Sequence, residues 1–271
     1  MGARVVLAVR NLEAGGKTAA EIAQTAKAPV TVEKLDLSSL ASVRDFTSRW
    51  GDQPLHMLIN NAGVMACPLD YTDDGLEMQI GTNHFCHYLL AVGLVPALLN
   101  GAKSGHASRV VSLSSIGHRR GGVNFEDPNY RHRDYDKWES YGQAKTANAL
   151  FAVGFNERFA TKGINANAVM PGGIMTPLQR HLPIEEQQAL GWIDEHGNAR
   201  AGFKTTEQGA STSVWTATAP MLEGVGGLYM EDCAQAVPWS KEQPWAGVMP
   251  HALDPVAADK LWTLSQETTG A

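Results

Sequence analysis

The sequence predicts a doubly wound α/β fold, a parallel sheet with helices on both faces, built as one domain over residues 1–271. Three observations predict it. Short apolar runs alternate with helix-period segments from start to end, the pattern of successive βα units. Several of the runs are β-branched and continuous, as in strands covered on both faces. Polar or glycine-rich clusters recur where the runs end, at the carboxyl edge where such sheets bind ligands.

The elements follow in order. Arg4–Val9 (RVVLAV) reads as a strand, and Leu12–Ala26, rich in Ala, Glu, Lys and Gln, as a helix. Val30–Leu35 is the next strand, and Ser38 and Ser39 offer N-caps for a helix to Trp50. Leu55–Ile59 is a strand ending at Asn60-Asn61-Ala62-Gly63, and a long helix is expected from Gly75 to Leu99. Arg109–Leu113 is a strand ending at Ser114-Ser115, followed by an irregular stretch from Gly117 to Trp138. A helix over Tyr141–Thr161, a strand over Asn165–Val169 and a Pro171-Gly172-Gly173 turn come next. Met175–Gly202 reads as a loop-rich excursion, Thr206–Thr218 as a helix, Gly227–Tyr229 as a last strand and Pro255–Thr268 as a tail helix. No repeat or low-complexity segment divides the chain, and right-handed crossovers leave few other arrangements.

Bulk properties narrow the function. Hydrophobic content of 44% and charged content of 18% fit a globular protein with a full core. A net charge of −6 leaves no domain-wide positive field for a nucleic-acid backbone. Cys67, Cys86 and Cys233 stand far apart with no CxxC pair, so reduced, buried thiols in a cytoplasmic protein are expected. His84 and His87 share helical i, i+3 spacing, but no third ligand accompanies them and no metal is expected. The N-terminus runs straight into a strand, so no signal peptide is expected. The longest apolar run, Tyr88–Leu99, is too short to span a bilayer and reads as a buried helix.

The chemistry concentrates at Tyr141-Gly-Gln-Ala-Lys145. On a helix, side chains at i and i+4 share one face, so the phenol and the ammonium point into the same space. A fixed cation there favours phenolate and is expected to lower the tyrosine pKa from its ordinary value of about 10. A tyrosine so tuned can pass a proton to or from an alcohol oxygen. Alone, the spacing is common on surface helices. Its force comes from Ser114-Ser115, Asn60-Asn61-Ala62-Gly63 and Pro171-Gly172-Gly173-Ile174-x-Thr176, which close neighbouring strands in that order.

With these motifs in place, the chain resembles the short-chain dehydrogenase/reductase family, over about residues 2–236, and so a Rossmann-like fold. The resemblance implies an NADP-dependent oxidoreductase that interconverts an alcohol and a carbonyl by hydride transfer. It implies Tyr141 as catalytic acid/base, Lys145 as the group that holds the nicotinamide ribose, Ser115 as the partner of the substrate oxygen, and Asn83 as the support of a proton-relay water. It implies cofactor contacts from Asp36 and Leu37 on the adenine side. Asn60, Ala62 and Gly63 would lie beside the adenosine half, and Pro171, Gly172, Gly173, Ile174 and Thr176 at the nicotinamide amide. Where NAD-users carry a carboxylate after the second strand, this chain has Val9, then Arg10 and Asn11. An arginine suits a 2′-phosphate, so NADP(H) is the expected cofactor. Three further features resemble the retinol dehydrogenase and protochlorophyllide reductase branch: Ala8-Val9-Arg10-Asn11, the long insert between Ser115 and Tyr141, and Gly227–Cys233. The substrate is then a small-molecule alcohol or carbonyl of apolar character, under a lid at about residues 181–203 that carries Leu182, Leu190, Trp192 and Phe203. Self-association is left open.

The family's opening strand, its Thr-Gly-x-x-x-Gly-x-Gly turn and the following helix have no counterpart in the sequence, and the expectation is a fold without its first βα unit. In the strand order 3-2-1-4-5-6 that strand would sit between Arg4–Val9 and Leu55–Ile59. Either these two strands keep open edges or they pair directly. The same reading expects weak dinucleotide binding and low stability from residues 1–271, since the turn supplies the pyrophosphate site. The alternative reading is a catalytically silent relative that serves as a binding or scaffold protein.

Overall fold

The computed structural model describes residues 2–271. Its strands form two separate ladders. β1 (Val5–Val9) pairs in parallel with β2 (Val30–Lys34), in register from Val5 with Val30 to Val9 with Lys34. The second sheet runs β3 (Met57–Asn60), β4 (Ser108–Leu113), β5 (Ile164–Met170), β6 (Tyr229–Glu231) and β7 (Ala234–Gln235), parallel except for the final hairpin. No ladder joins β1 to β3 among the described residues. Of the two expected outcomes, open edges is the one found: Val5 is 40% exposed, Met57 40% and Ile59 42%. Such edges are unpaired hydrogen-bonding templates.

The helices start where side chains satisfy their first amides. α1 (Leu12–Ala23) is capped by Asn11, α2 (Leu40–Trp50) by Ser39, and α6 (Lys137–Phe159) by Asp136, which accepts from the amides of Trp138 and Glu139. The Asp136 cap starts α6 one turn before the expected Tyr141. α8 (Thr206–Thr218) follows a reciprocal Thr205/Gln208 capping box, and its bounds match the expectation. The single long helix expected over Gly75–Leu99 is instead α3 (Met78–Ile80), a π turn over Gly81–Phe85, α4 (Cys86–Gly93) and α5 (Val95–Ala102). The axis bends by 55° between Gly93 and Val95, because Pro96 has no N–H to continue the ladder and sits in the first turn of α5. No single helix is long and apolar enough to cross a membrane, and Tyr88, Leu90 and Leu98 are buried in the protein.

Two core clusters carry most of the packing. One lies between β4, β5 and the faces of α6 and α9 (Pro255–Thr269), with Phe151, Phe155, Ile164 and Trp262. The other gathers Val43 and Phe46 of α2 with Ile80, Phe85 and Leu89, and both Ala8 of β1 and Leu58 of β3 lie against it. The separate ribbon is thus held to the main sheet through side chains rather than through backbone pairing. Cys67 and Cys86 are buried free thiols, but Cys233 is exposed at a left-handed turn next to Asp232, which corrects the expectation for that residue. His84 Nε2 pairs with Ser265 Oγ at 2.9 Å and His87 Nδ1 with the Asn83 carbonyl at 2.9 Å, so each has a structural partner within the core.

Candidate active site

The site forms where β4 ends against α6. Ser114 is buried and its hydroxyl donates to the Lys145 carbonyl at 2.8 Å, so it ties strand to helix. Ser115 has extended backbone, and its Oγ accepts the Gly117 amide at 3.1 Å. Of the strand-end pair, Ser114 is thus committed to α6, while the Ser115 hydroxyl lies beside Gly117 as the Tyr141 ring does. Gly117 leaves the room for this: a Cβ there would come within 2.9 Å of the Tyr141 ring. Sequence reasoning missed Gly117, though a glycine two residues beyond the strand-end serine was the signal.

Tyr141 and Lys145 are both buried on α6, with the Lys145 ammonium 5.6 Å from the centre of the Tyr141 ring and donating to the Leu113 carbonyl at 3.0 Å. The i, i+4 geometry is as expected, but the pKa direction is not. Burial pushes the Tyr141 phenol up to about 12, with only the Ser115 hydrogen bond acting against it. Burial also brings the Lys145 amine down to about 8. Desolvation of the charged form decides the direction because the phenol is buried and the ammonium, 5.6 Å from the ring centre, is engaged by the Leu113 carbonyl.

Asn83 sits on the π turn, and its amide pairs with both backbone groups of Val64, accepting from N and donating to O at 2.9 Å each. It thereby fixes the loop after β3 against the π turn. A Cβ on Gly63 would stand 2.8 Å from Asn83 Oδ1 and 3.9 Å from Lys145 Nζ, so glycine is required where this loop passes the lysine. Asn60 is buried, its Nδ2 donating to the His87 carbonyl at 3.5 Å, and Ala62 lies exposed in the loop between them.

The remaining cofactor candidates lie on the same carboxyl edge. Arg10 is exposed at the end of β1, with Lys34 Nζ donating to its carbonyl at 2.7 Å, and Asn11 spends its side chain on capping α1. Asp36 accepts from the Ser38 amide and hydroxyl at 3.0 and 2.6 Å, whereas the Leu37 side chain is buried in the core, leaving only its backbone for an adenine. In the turn after β5, Gly172 has φ +100° and a Cβ there would come within 2.8 Å of the Lys204 chain. Phe203 lies 3.5 Å from where a Gly173 Cβ would stand, and Ile174 bridges to Lys204. Thr176 caps a short turn over Pro177–His181, its hydroxyl accepting from the Leu178 amide at 3.3 Å.

The expected lid contains α7 (Ile184–Ala189), more order than a loop-rich excursion would have. Leu182 is buried with Met65, Ala66 and Tyr141, and Trp138, Leu178 and Trp192 pack on that cluster. Leu190 is exposed and stands outside it. Glu186 clips the lid to the start of α6, accepting from Lys137 Nζ at 2.6 Å and Trp138 Nε1 at 3.2 Å. Met65 and Glu186 were not foreseen, since neither belongs to a local pattern.

Comparison with known proteins bears on the family and the fold. A family model described as short chain dehydrogenase matches residues 1–187. A probable oxidoreductase of Streptomyces lividans is 44% identical over 275 residues, covering 100% of this chain and 90% of that protein. Retinol dehydrogenase 14 of Mus musculus is 37% identical over 285 residues, covering 100% of this chain and 79% of its own length. Among solved structures, an uncharacterised protein from Mycobacterium paratuberculosis aligns with a TM-score of 0.72 at 30% identity, over 98% of this chain and 84% of that one. The NADP complex of RhlG from Pseudomonas aeruginosa aligns with a TM-score of 0.59 at 22% identity, over 80% of this chain and 81% of that one.

Proposed function

Because this chain belongs to the short-chain dehydrogenase family, as an oxidoreductase of its retinol dehydrogenase-like branch, we propose that it interconverts an alcohol and a carbonyl with NADP(H), Tyr141 passing the proton. The observation that carries this reading is the convergence of Ser115 Oγ and the Tyr141 ring on Gly117 at the end of β4, 3.6 and 2.9 Å from where its Cβ would stand, with Lys145 one turn along the same helix. The residues present fit a nicotinamide cofactor at two ends. Gly63 keeps a Cβ-free passage beside Lys145, and Arg10 offers an exposed guanidinium for a 2′-phosphate. Lys145 and the Pro171–Thr176 turn would hold the nicotinamide ribose and amide. The Thr-Gly-x-x-x-Gly-x-Gly turn for the pyrophosphate does not occur among the described residues, where the one Gly-x-Gly, Gly224-Val225-Gly226, leads into β6.

The bound nicotinamide supplies or accepts the hydride. The chain does the rest. Ser115 orients the substrate oxygen by hydrogen bonding, and Tyr141 gives that oxygen its proton as the carbonyl becomes an alcohol, or takes it in reverse. At neutral pH a phenol pushed up to about 12 carries its proton, the form that reduction needs. Asn83 acts on the loop that passes Lys145, and the apolar cluster of Met65, Trp138, Leu182 and Trp192 supports an apolar substrate and excludes water.

Tyr141→Phe tests this, since it removes only the hydroxyl. Reduction of a probe aldehyde such as benzaldehyde, followed as NADPH consumption, should fall at least about 10²-fold with the melting temperature unchanged. Turnover near that of the parent protein would overturn the assignment. Lys145→Ala should lower both turnover and cofactor affinity.

A further inference from the structure

His118, three residues beyond Ser115, is fully buried and touches four separate segments. Its ring Nε2 lies 3.1 Å from the Met249 backbone N–H. An amide nitrogen can only donate, so Nε2 must carry a lone pair. The ring proton then sits on Nδ1, which lies 2.6 Å from the Ser115 carbonyl. That carbonyl also receives the His118 amide at 3.0 Å and the Tyr229 hydroxyl at 3.2 Å. The His118 carbonyl in turn accepts from Thr146 Oγ1 at 3.1 Å, one residue past Lys145 on α6, and from His251 Nε2 at 2.9 Å. Burial holds the ring neutral, with its pKa brought down to about 4.

We propose that His118 is the positioning residue for Ser115, its Nδ1–H gripping the Ser115 carbonyl so that the Ser115 hydroxyl meets Tyr141, with the Met249 amide fixing the tautomer that allows it. The inference rests on the Ser115/Tyr141 reading above. The Ser115 hydroxyl and carbonyl belong to one residue, so a backbone held from three directions leaves the side chain only its own rotation, which the Gly117 amide on Oγ then fixes. The segment around Met249–His251 lies far along the chain from Ser115, yet it decides which nitrogen of His118 carries the proton. Orientation of this kind matters because a shift of about 1 Å in a reacting group can cost on the order of 10²-fold in rate.

Two substitutions separate positioning from packing. His118→Asn keeps an N–H donor close to the Nδ1 position, whereas His118→Phe fills the space with no donor. The first readout needs no cofactor. Nitrogen-15 NMR of the parent protein at neutral pH should show His118 as the Nδ1–H tautomer, and the Gly117 amide resonance should move in His118→Phe but stay near its parent position in His118→Asn. The second is turnover with NADPH and benzaldehyde, expected to fall about 10- to 100-fold in His118→Phe, with the KM for NADPH nearly unchanged, and to recover largely in His118→Asn. A charged or Nε2–H ring, or equal losses in the two variants, would overturn the proposal. Full turnover in Tyr141→Phe would instead overturn the assignment of the proton to Tyr141, and the tautomer and Gly117 resonances would still decide the case for His118.

Discussion

Strands β4 and β5 are buried at every residue, whereas β1 and β2 contain no buried residue at all. β4 and β5 carry polar residues too, among them Ser108, Arg109, Asn165 and Asn167, so apolar composition does not separate the pairs. Neighbours do. β4 and β5 each pair on both sides and lie under α6, while β1 has one ladder, one helix and the contact of Ala8 with the core beside α2. The functional groups divide along the same line. Ser115, Tyr141 and Lys145, which must hold a geometry, grow from the five-stranded body. Arg10, Asn11 and Asp36, which would meet a charged and solvated part of a cofactor, grow from the two-stranded ribbon. The first kind of chemistry needs preorganised rigid support, and the second needs exposure more than precision.

The largest expected difference is in acid. His84, His87 and His118 all belong to the five-stranded body, and burial lowers their pKa values from 6.5 to about 3, 4 and 4. A base with a depressed folded pKa binds its proton first in the unfolded chain. Stability is therefore intact above about pH 6.5 and falls as pH drops toward 4. At pH 5 the loss is about 2 kcal/mol per ring, roughly 6 kcal/mol for three. Glu77 and Glu231, raised by burial, return part of it, because a carboxyl raised in the folded state stabilises as pH falls. Urea unfolding at pH 7 and pH 5 measures the balance. Equal midpoints would mean that the rings are not held neutral and that the body is wetter than its burial implies.

Amide exchange addresses the two ladders directly. Sub-global openings range from near zero to the full stability of about 5–15 kcal/mol, so amides of β1 and β2 should exchange at least about 10³-fold faster than those of β4 and β5. Equal protection would show that the two ladders unfold as one cooperative unit. Side-chain truncation gives a smaller contrast of the same sign. Ile164→Ala, at a site with no exposure in β5, should cost about 2–5 kcal/mol, and Val5→Ala, 40% exposed on β1, less than about 1 kcal/mol by thermal or urea unfolding.

The same division sets what was legible in the sequence. The elements around β4, α6, β5 and α8 rest on local signals such as β-branched runs, caps and turn residues, and Thr206–Thr218 was readable to its ends because Thr205 and Gln208 cap each other. The break before Val95 was signalled by Pro96 but overridden by the apolar continuity of Tyr88–Leu99. The π turn at Gly81–Phe85 has no sequence signature. Two-residue β7 was missed because it exists only as the return of a hairpin onto β6. In the site, the spacing of Tyr141 and Lys145 was readable, but the pKa direction was not. It depends on whether burial or the neighbouring cation wins, and that is settled by how deeply the fold buries the phenol. His118 and Glu186 were invisible for a related reason, since their partners Met249 and Lys137 lie far from them in the chain.

The smallest expected effect falls on the ribbon itself. Arg10 is exposed, so removing its side chain should leave stability within about 0.5 kcal/mol. Its charge acts locally on Asp36, whose carboxyl burial would raise but which Ser38, Arg10 and Lys34 together hold below its ordinary value. That interaction would survive in part through Lys34, which donates to the Arg10 carbonyl and therefore stays nearby. If Arg10 reads a 2′-phosphate, Arg10→Ala should weaken NADPH binding by roughly 10- to 150-fold, the worth of a charge-assisted hydrogen bond of about 1.5–3 kcal/mol. NADH binding should hardly change. Arg10→Lys should recover only part of the loss, because an ammonium restores the charge without the two-pronged geometry that suits a phosphate. Titrating both cofactors against the three proteins checks all of this together. Equal losses for NADPH and NADH would mean that Arg10 supports the ribbon around Asp36 rather than reading the phosphate, and the division between a rigid catalytic body and an exposed recognition edge would then fail at that residue.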